Sequence, residues 1–179
     1  MPRIDQGSCN VWVFTFKEGL LSRVAHDLKL ELGRFSFELK ESGVEARFDT
    51  RSFRVLGAMR DGRLARNMLS ARDIQKIEGQ IRKDVLRSHR FPEAVFTSTS
   101  VLMEEDSVVV SGEIRLHGYT KRLAMRLRRE GELWCGELDL HQPDFGIRPY
   151  TAALGALKVK PGVRVRLEIS ADIGAIKSG

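Results

Sequence analysis

The sequence has 179 residues, 42% hydrophobic and 30% charged with 16 glycines and 5 prolines, which predicts one globular domain over residues 1–179 and excludes a low-complexity chain. The formal charge of +6 and the pI near 9.6 favour attraction to phosphate-bearing surfaces without deciding the fold. The first residues, MPRIDQGSCNVWVF, contain no basic segment leading into a long apolar run. We therefore expect neither a secretory signal nor a spanning helix there, and predict a cytoplasmic protein.

Short strands follow one another through the first part of the chain. Residues 9–16 combine aromatic and β-branched side chains, which favours a strand, but both of its faces are apolar and its inward face stays ambiguous. Residues 24–32 alternate without a fault and point His26 inward together with the apolar side chains. Gly33 indicates a bulge or tight corner, because the inward-facing apolar side chains lie at even-numbered positions before it and at odd-numbered positions after it. Two further short strands over 35–49 complete a meander.

The middle of the chain contains one predicted helix. In residues 51–70, Phe53 and Val55 are compatible with a strand, but Gly57 and the Asp61-Gly62 pair favour a loop or irregular segment. Ser70, with an acidic residue three positions later, then caps a helix predicted over 71–86. Its isoleucines recur at helical spacing, which predicts a buried face packed against the sheet rather than a binding surface.

The second half of the chain is a series of strands. Residues 94–103 are rich in β-branched and hydroxyl side chains, and residues 107–130 form a predicted β-hairpin that reverses at His117-Gly118. One face of this hairpin is apolar and the other is charged, which is typical of the wall of an antiparallel sheet or barrel. The remaining elements are predicted strands over 133–140 and 163–173, with a loop over 143–155 between them. The whole chain is thus predicted to contain eight or nine strands.

Candidate catalytic and metal-binding residues form no motif. The four histidines lack HxH or HExxH spacing, and Ser98 and Ser100 lie outside a GxSxG elbow. His117 is expected to hydrogen-bond the backbone of its own turn. Cys9 and Cys135 lack CxxC spacing and are expected to be buried free thiols. We therefore expect no catalytic residue, no metal site and no enzymatic activity.

Five stretches resemble, in order and spacing, the motifs of a known family. They are HDLKLELGRFSFEL, FPEAVFTSTSV, SGEIRLHGYTKRL, DFGI and LEISADI. In these stretches the chain is similar to the YceI-like family of polyisoprenoid-binding, lipocalin-like proteins. The resemblance implies a mainly β fold, an elongated eight-stranded antiparallel barrel with the helix packed beside it. It also implies non-catalytic binding of a long apolar ligand in the lumen, with no cofactor other than that lipid.

The expected ligand is an isoprenoid, an isoprenoid quinone or another lipid. Eight strands make a barrel wide enough for one small ligand, and strands of eight to ten residues span about 26 to 33 Å. An inward His26 either hydrogen-bonds a quinone carbonyl or lipid head group or is a satisfied core histidine. The predicted lumen lining comprises His26, Val24, Leu28, Leu30, Phe35, Phe37, Val110, Ile114, Leu123, Met125, Leu138, Val165 and Leu167.

Parity alone does not distinguish a hollow lumen from a packed interior, so a second function stays open. A solid-core barrel would instead bind an anionic partner, nucleic acid or a membrane surface, through a basic outer face. Nucleic acid is disfavoured because most aromatic side chains, which would be needed for base stacking, are predicted to lie on the apolar faces of the strands. A weak contact with an anionic membrane is favoured because it would also serve lipid loading. A homodimer is left open. The outward arginines of this face are Arg122, Arg126, Arg128, Arg164 and Arg166.

Overall fold

The computed structural model describes residues 3–4, 7–19, 26–40 and 43–170. Val24 and the last three residues of the final predicted strand, 171–173, lie outside the described residues. The described chain is mainly β, as predicted, and contains one α-helix, α1, at Ala71–Gln80. The strands are β1 Arg3–Ile4, β2 Cys9–Glu18, β3 Asp27–Leu32, β4 Phe35–Lys40, β5 Gly43–Asp49, β6 Phe53–Arg60, β7 Arg63–Ala65, β8 Glu93–Met103, β9 Ser107–Leu116, β10 Tyr119–Glu130, β11 Leu133–His141, β12 Thr151–Ala152 and β13 Leu157–Ile169.

The strands form one antiparallel sheet that curls around an interior. Neighbours follow the order β1-β4-β5-β8-β9-β10-β11-β13-β2-β3-β6-β7, and β12 pairs with β13. Strand β3 runs into β4 through Gly33, and β5 runs into β6 through the 3-10 turn Thr50–Ser52. Because β3 also pairs with β6 and β4 with β5, these four strands form one long bent hairpin. Its β4–β5 half lies next to β1 at one end of the strand order and its β3–β6 half lies next to β7 at the other, which curls the sheet into the predicted barrel-like antiparallel architecture.

The predicted number of eight strands is wrong, because the described residues contain thirteen strand segments. Three of the extra segments are short, since β1, β7 and β12 have only two or three residues. Two more arise because the corner of the bent hairpin divides each of its long strands. The corner predicted at Gly33 is confirmed: its N–H donates to the Ser52 carbonyl at 3.0 Å, and the Arg34 N–H donates to the Ser52 hydroxyl at 2.9 Å.

The loop predicted over residues 51–70 is also wrong, because this segment contains β6 and β7. Asp61 and Gly62 form the two-residue turn between these strands, with φ angles of 51° and 74°. Positive φ at both positions is the conformation for which Asp-Gly pairs are favoured in hairpins. Gly57, at φ 153°, pairs with Lys29 where the β3–β6 register shifts. The turn signals therefore mark a hairpin turn and a bulge inside a strand pair.

Helix α1 begins where the sequence predicts. The Ser70 hydroxyl accepts the Asp73 N–H at 3.1 Å and the Asp73 carboxylate accepts the Ser70 N–H at 3.2 Å, which forms a capping box. A π-helical turn at Ile81–Val85 continues the helix almost to its predicted end at residue 86. In the described part of the chain, no helix is long and apolar enough to cross a membrane.

A packed apolar cluster fills part of the interior. Strand β2 contributes Cys9 and Val11 to it, which settles the inward face of that strand. On the other face, the Lys29 ammonium lies 3.6 Å from the Trp12 ring centroid and 5.6 Å from that of Phe14. Both cysteines are buried free thiols, as predicted, and burial raises the pKa of Cys9 to about 12. The cluster comprises Cys9, Val11, Leu32, Phe35, Phe37, Ala46, Val101, Val108, Met125, Leu127 and Ile169.

Candidate ligand-binding cavity

A cavity of about 800 Å³ lies inside the curled sheet, next to the packed cluster. Its wall consists mainly of aliphatic and aromatic side chains from the inward faces of the strands. The cluster and the cavity wall share several side chains, so the cavity ends on the cluster. The interior is therefore packed in one part and hollow in another. The shared residues are Val11, Leu32, Phe37, Ala46, Met125, Leu127 and Ile169.

Most of the predicted lining residues lie in the cavity wall. Phe35 does not, because it lies in the packed cluster, where its ring meets the edge of Phe37 at a centroid distance of 5.6 Å. Val24 lies outside the described residues. A role of these side chains in ligand binding stays a prediction. Those in the wall are His26, Leu28, Leu30, Phe37, Val110, Ile114, Leu123, Met125, Leu138, Val165 and Leu167.

The helix contributes more to the cavity than the sequence predicts. Ile77, Ile81 and Val85, assigned to a simple core stripe, line the cavity and cover part of it. The Gln80 amide donates to the Tyr150 hydroxyl at 2.8 Å and joins the helix to the segment between β11 and β13. The spacing of the isoleucines locates this apolar face, but nothing in the spacing distinguishes packing against side chains from packing against an open space.

Acidic and basic side chains lie at the helix-covered part of the wall. Strand β2 extends to Glu18, past the predicted end at residue 16, so Lys17 takes the inward parity of Thr15. The Lys17 backbone N–H donates to an Asp27 carboxylate oxygen at 2.7 Å. His26 is half-buried and lines the cavity, as predicted, without a hydrogen bond to any described residue. The acidic and basic lining residues are Lys17, His26, Asp73, Lys76 and Lys158.

His117 holds a wall segment in place. The predicted reversal at 117–118 is confirmed, but the predicted bond to its own turn is wrong, because His117 Nδ1 lies 3.1 Å from the Phe145 carbonyl oxygen. Since a carbonyl only accepts, Nδ1 carries the proton and donates it. This bond fixes the 3-10 turn Gln142–Phe145, of which Gln142 and Phe145 both line the cavity. Burial lowers the pKa of His117.

The outer arginines are mostly paired with carboxylates. Arg126 lies 2.6 Å from Glu104, Arg164 lies 2.8 Å from Asp139, and Arg166 contacts two glutamates at 2.8 and 2.9 Å. Only Arg128, of the five predicted outward arginines, has no ion pair with a described residue, and Arg122 lies 3.5 Å from a glutamate. The basic face predicted from parity is therefore largely neutralised. No three His, Cys, Asp or Glu side chains in the described residues form a group that could hold a metal ion.

Comparison with known sequences identifies one family. The sequence model of the YceI-like domain matches residues 5–171 of this chain. A UPF0312 protein of Photorhabdus laumondii is 34% identical over 92 residues, a match that covers 51% of this chain and 42% of that protein. The matched region therefore spans less than half the length of this relative.

Solved structures share the fold. BcnA from Burkholderia cenocepacia superposes with a TM-score of 0.62 at 15% identity, over 90% of this chain and 94% of BcnA. A YCEI protein from Campylobacter jejuni has a TM-score of 0.54 at 10% identity, over 78% of this chain and 81% of that protein. At these identities the likeness concerns the fold alone.

Proposed function

The chain belongs to the YceI-like domain family, and from its cavity we propose that it binds one long apolar ligand, an isoprenoid, an isoprenoid quinone or another lipid, without chemical change. The observation that carries this proposal is the cavity of about 800 Å³ with its aliphatic and aromatic wall. This volume falls within the ~300 to 1,000 Å³ typical of small-molecule sites. A packed interior would leave no such volume.

An apolar chain suits this wall energetically. Each methylene group transferred from water into an apolar site contributes about 0.8 kcal/mol, and a hydrocarbon chain loses no hydrogen bonds on entry. A polar solute would lose its bonds to water without replacement along most of the wall, at a cost of about 1 to 3 kcal/mol for each unpaired group. The lining side chains therefore favour lipids over sugars, nucleotides or peptides.

The cavity also favours this function over the solid-core alternative. A barrel that recognises anionic polymers through its exterior needs unpaired cations there, whereas the carboxylates beside Arg126, Arg164 and Arg166 compensate those charges. The solid-core alternative does not account for a hollow interior. We therefore place the ligand inside the barrel.

Native mass spectrometry of the purified protein, followed by organic extraction of the same sample, tests the proposal. We expect a bound species that leaves on extraction, and binding of the neutral fluorophore N-phenyl-1-naphthylamine by the delipidated protein. Val165→Trp, which fills the cavity, is expected to reduce fluorophore binding. Leu102→Trp is the control, because Leu102 is 56% exposed and lies outside the cavity wall. The absence of any co-purifying or exchangeable apolar ligand would refute the function.

We also propose that loading involves a weak contact with an anionic membrane at the helix-covered end, rather than at the arginine face. Leu154 projects fully into solvent between the lining residues Ala152 and Leu157, and Met68, itself in the wall, is 37% exposed. Lys158 lies beside this loop. Leu154→Asp is expected to reduce co-sedimentation with phosphatidylserine vesicles, whereas Leu102→Asp should not; equal effects of the two changes would rule this out.

A further inference from the structure

Lys17 is the basic side chain at the end of the inward face of β2. Along β2 the inward side chains are Val11, Val13, Thr15 and Lys17, and Lys17 is half-buried. Its backbone N–H is bonded to the Asp27 carboxylate, but its ammonium makes no ion pair with any described residue. This differs from the outer arginines, which lie against carboxylates. An ammonium placed beside an apolar cavity without a partner loses hydration, which an anion in the cavity would replace.

His26 directly precedes the residue that Lys17 contacts. Strands β2 and β3 pair as far as Thr15 with Leu28, and two residues further along β2 the Lys17 N–H donates to the carboxylate of Asp27, the neighbour of His26. Both side chains line the cavity. An ammonium and an imidazole N–H on adjacent strands can both donate to one acceptor group.

The charge of the surrounding wall has the same sign. Three lysines line the cavity against one aspartate, which leaves a formal charge of +2 without His26. The aspartate, Asp73, already accepts hydrogen bonds from the Ser70 hydroxyl and backbone N–H in the helix cap. Lys76 and Lys158 are exposed at the rim, so they add to the positive potential at the entrance.

We propose that the occupant is an acidic single-chain lipid, whose carboxylate or phosphate lies against Lys17 and His26 while its chain extends towards the packed cluster. This inference rests on the proposed function and adds the chemistry of the head group. A neutral head group accepts hydrogen bonds from the same donors but forms no ion pair. A charge-assisted hydrogen bond is stronger than a neutral one by an amount that corresponds to about tenfold in affinity.

Displacement of N-phenyl-1-naphthylamine from the delipidated protein tests the head group with ligands of one chain length. Hexadecanoate, hexadecyl phosphate and hexadecanol are titrated at neutral pH, below their aggregation concentrations. We expect one or both acids to displace the fluorophore at about tenfold lower concentration than hexadecanol. The stronger of the two acids identifies the carboxylate or the phosphate as the preferred group.

Two variants assign the effect to Lys17. Lys17→Met should reduce the preference for the acid to less than about twofold, because it weakens binding of the acid by about tenfold and binding of hexadecanol much less. Lys160→Met, which removes the same charge from an exposed lysine outside the cavity wall, should retain the preference. If Lys17→Met does not fold, Lys17→Gln replaces it, and the comparison of acid with alcohol on the wild type remains decisive.

The outcomes separate this inference from the function. Equal displacement by acid and alcohol on the wild type, or a preference that survives in Lys17→Met, overturns the acidic head group and leaves lipid binding intact. Failure of both the fluorophore and every hexadecyl ligand to bind overturns the proposed function and this inference with it.

Discussion

His117 has a constrained protonation state. Its ring packs on Phe91 at a centroid distance of 4.3 Å, Nδ1 donates to the Phe145 carbonyl, and Nε2 is buried without a hydrogen-bond partner among the described residues. A second proton would sit on Nε2 without an acceptor. Burial, with the nearby charges of Arg87 and Arg90, lowers the pKa of this imidazole, so the folded protein favours its neutral form.

This shift makes stability depend on pH. The unfolded imidazole binds a proton below about pH 6.5, whereas the folded one resists protonation to lower pH, so the stabilisation is complete above that pH and decreases below it. We expect His117→Asn, which tolerates the φ of 52°, to lose about 1 kcal/mol at pH 7.5 and less at pH 5. Urea unfolding of both proteins at the two pH values measures the difference.

His89→Asn is the matched control for this prediction, because His89 is exposed and makes no hydrogen bond to a described residue. Its free energy of unfolding should follow the pH dependence of the wild type. An unchanged pH dependence in His117→Asn would show that burial of the His117 imidazole does not contribute to the pH dependence of stability.

Sequence patterns predict the environment of some single residues and miss that of others. The alternation over 24–32 correctly predicts that His26 faces inward. Lys17 is missed because both faces of β2 are apolar and its aromatic run ends at residue 16, so nothing in the pattern assigns a parity to the next lysine. The partner of His117 lies 28 residues away along the chain, beyond any local pattern.

At the scale of elements, Gly112 allows β8 and β9 to approach each other. A Cβ at this position would lie 2.2 Å from the Thr97 carbonyl oxygen and 2.7 Å from the Phe96 ring, next to the register shift between Ser98 and Ser100. Both obstacles are held by the strand pair, so the strands would have to separate. The glycine is therefore required by close approach.

Gly112→Ala is expected to lower the free energy of unfolding by about 1 to 3 kcal/mol, as overpacking does. Gly79→Ala is the matched change in α1, where an added Cβ meets no atom within 4 Å, and it should raise the free energy of unfolding by up to about 1 kcal/mol. Urea denaturation measures both. A neutral effect of Gly112→Ala would mean that β8 and β9 adjust without cost.

Elements with a strong local signal are predicted well, and elements that depend on tertiary pairing are not. The capping box at Ser70 is confirmed because it joins residues three positions apart, and the corner at Gly33 is confirmed because the apolar alternation changes face there, although its hydrogen bonds reach Ser52. The Asp61-Gly62 pair was correctly assigned to a turn, but β6 and β7 on either side of it were missed. Strand β6 pairs with β3, which precedes it by more than twenty residues, whereas β7 pairs with β6 across the turn.

At the scale of the whole molecule, the same alternation produces both the packed and the hollow parts of the interior. Val108 and Val110 have the same parity on β9, yet Val108 is fully buried in the cluster and Val110 lines the cavity. Which part stays open depends on the curvature of the bent hairpin and on the helix, and these involve residues far apart in sequence. The sequence therefore predicts the barrel and its inward residues, but not its volume.

Two identical substitutions distinguish the hollow part from the packed part. Val165→Phe adds volume next to the cavity, so we expect the free energy of unfolding to stay within about 1 kcal/mol of the wild type. Val108→Phe adds the same volume where no space exists, and should destabilise by about 1 to 3 kcal/mol or more. Urea unfolding of delipidated proteins measures both.

Because a ligand that binds only the folded state raises apparent stability, saturating lipid should stabilise the wild type more than Val165→Phe. Equal destabilisation by the two changes would contradict a hollow interior.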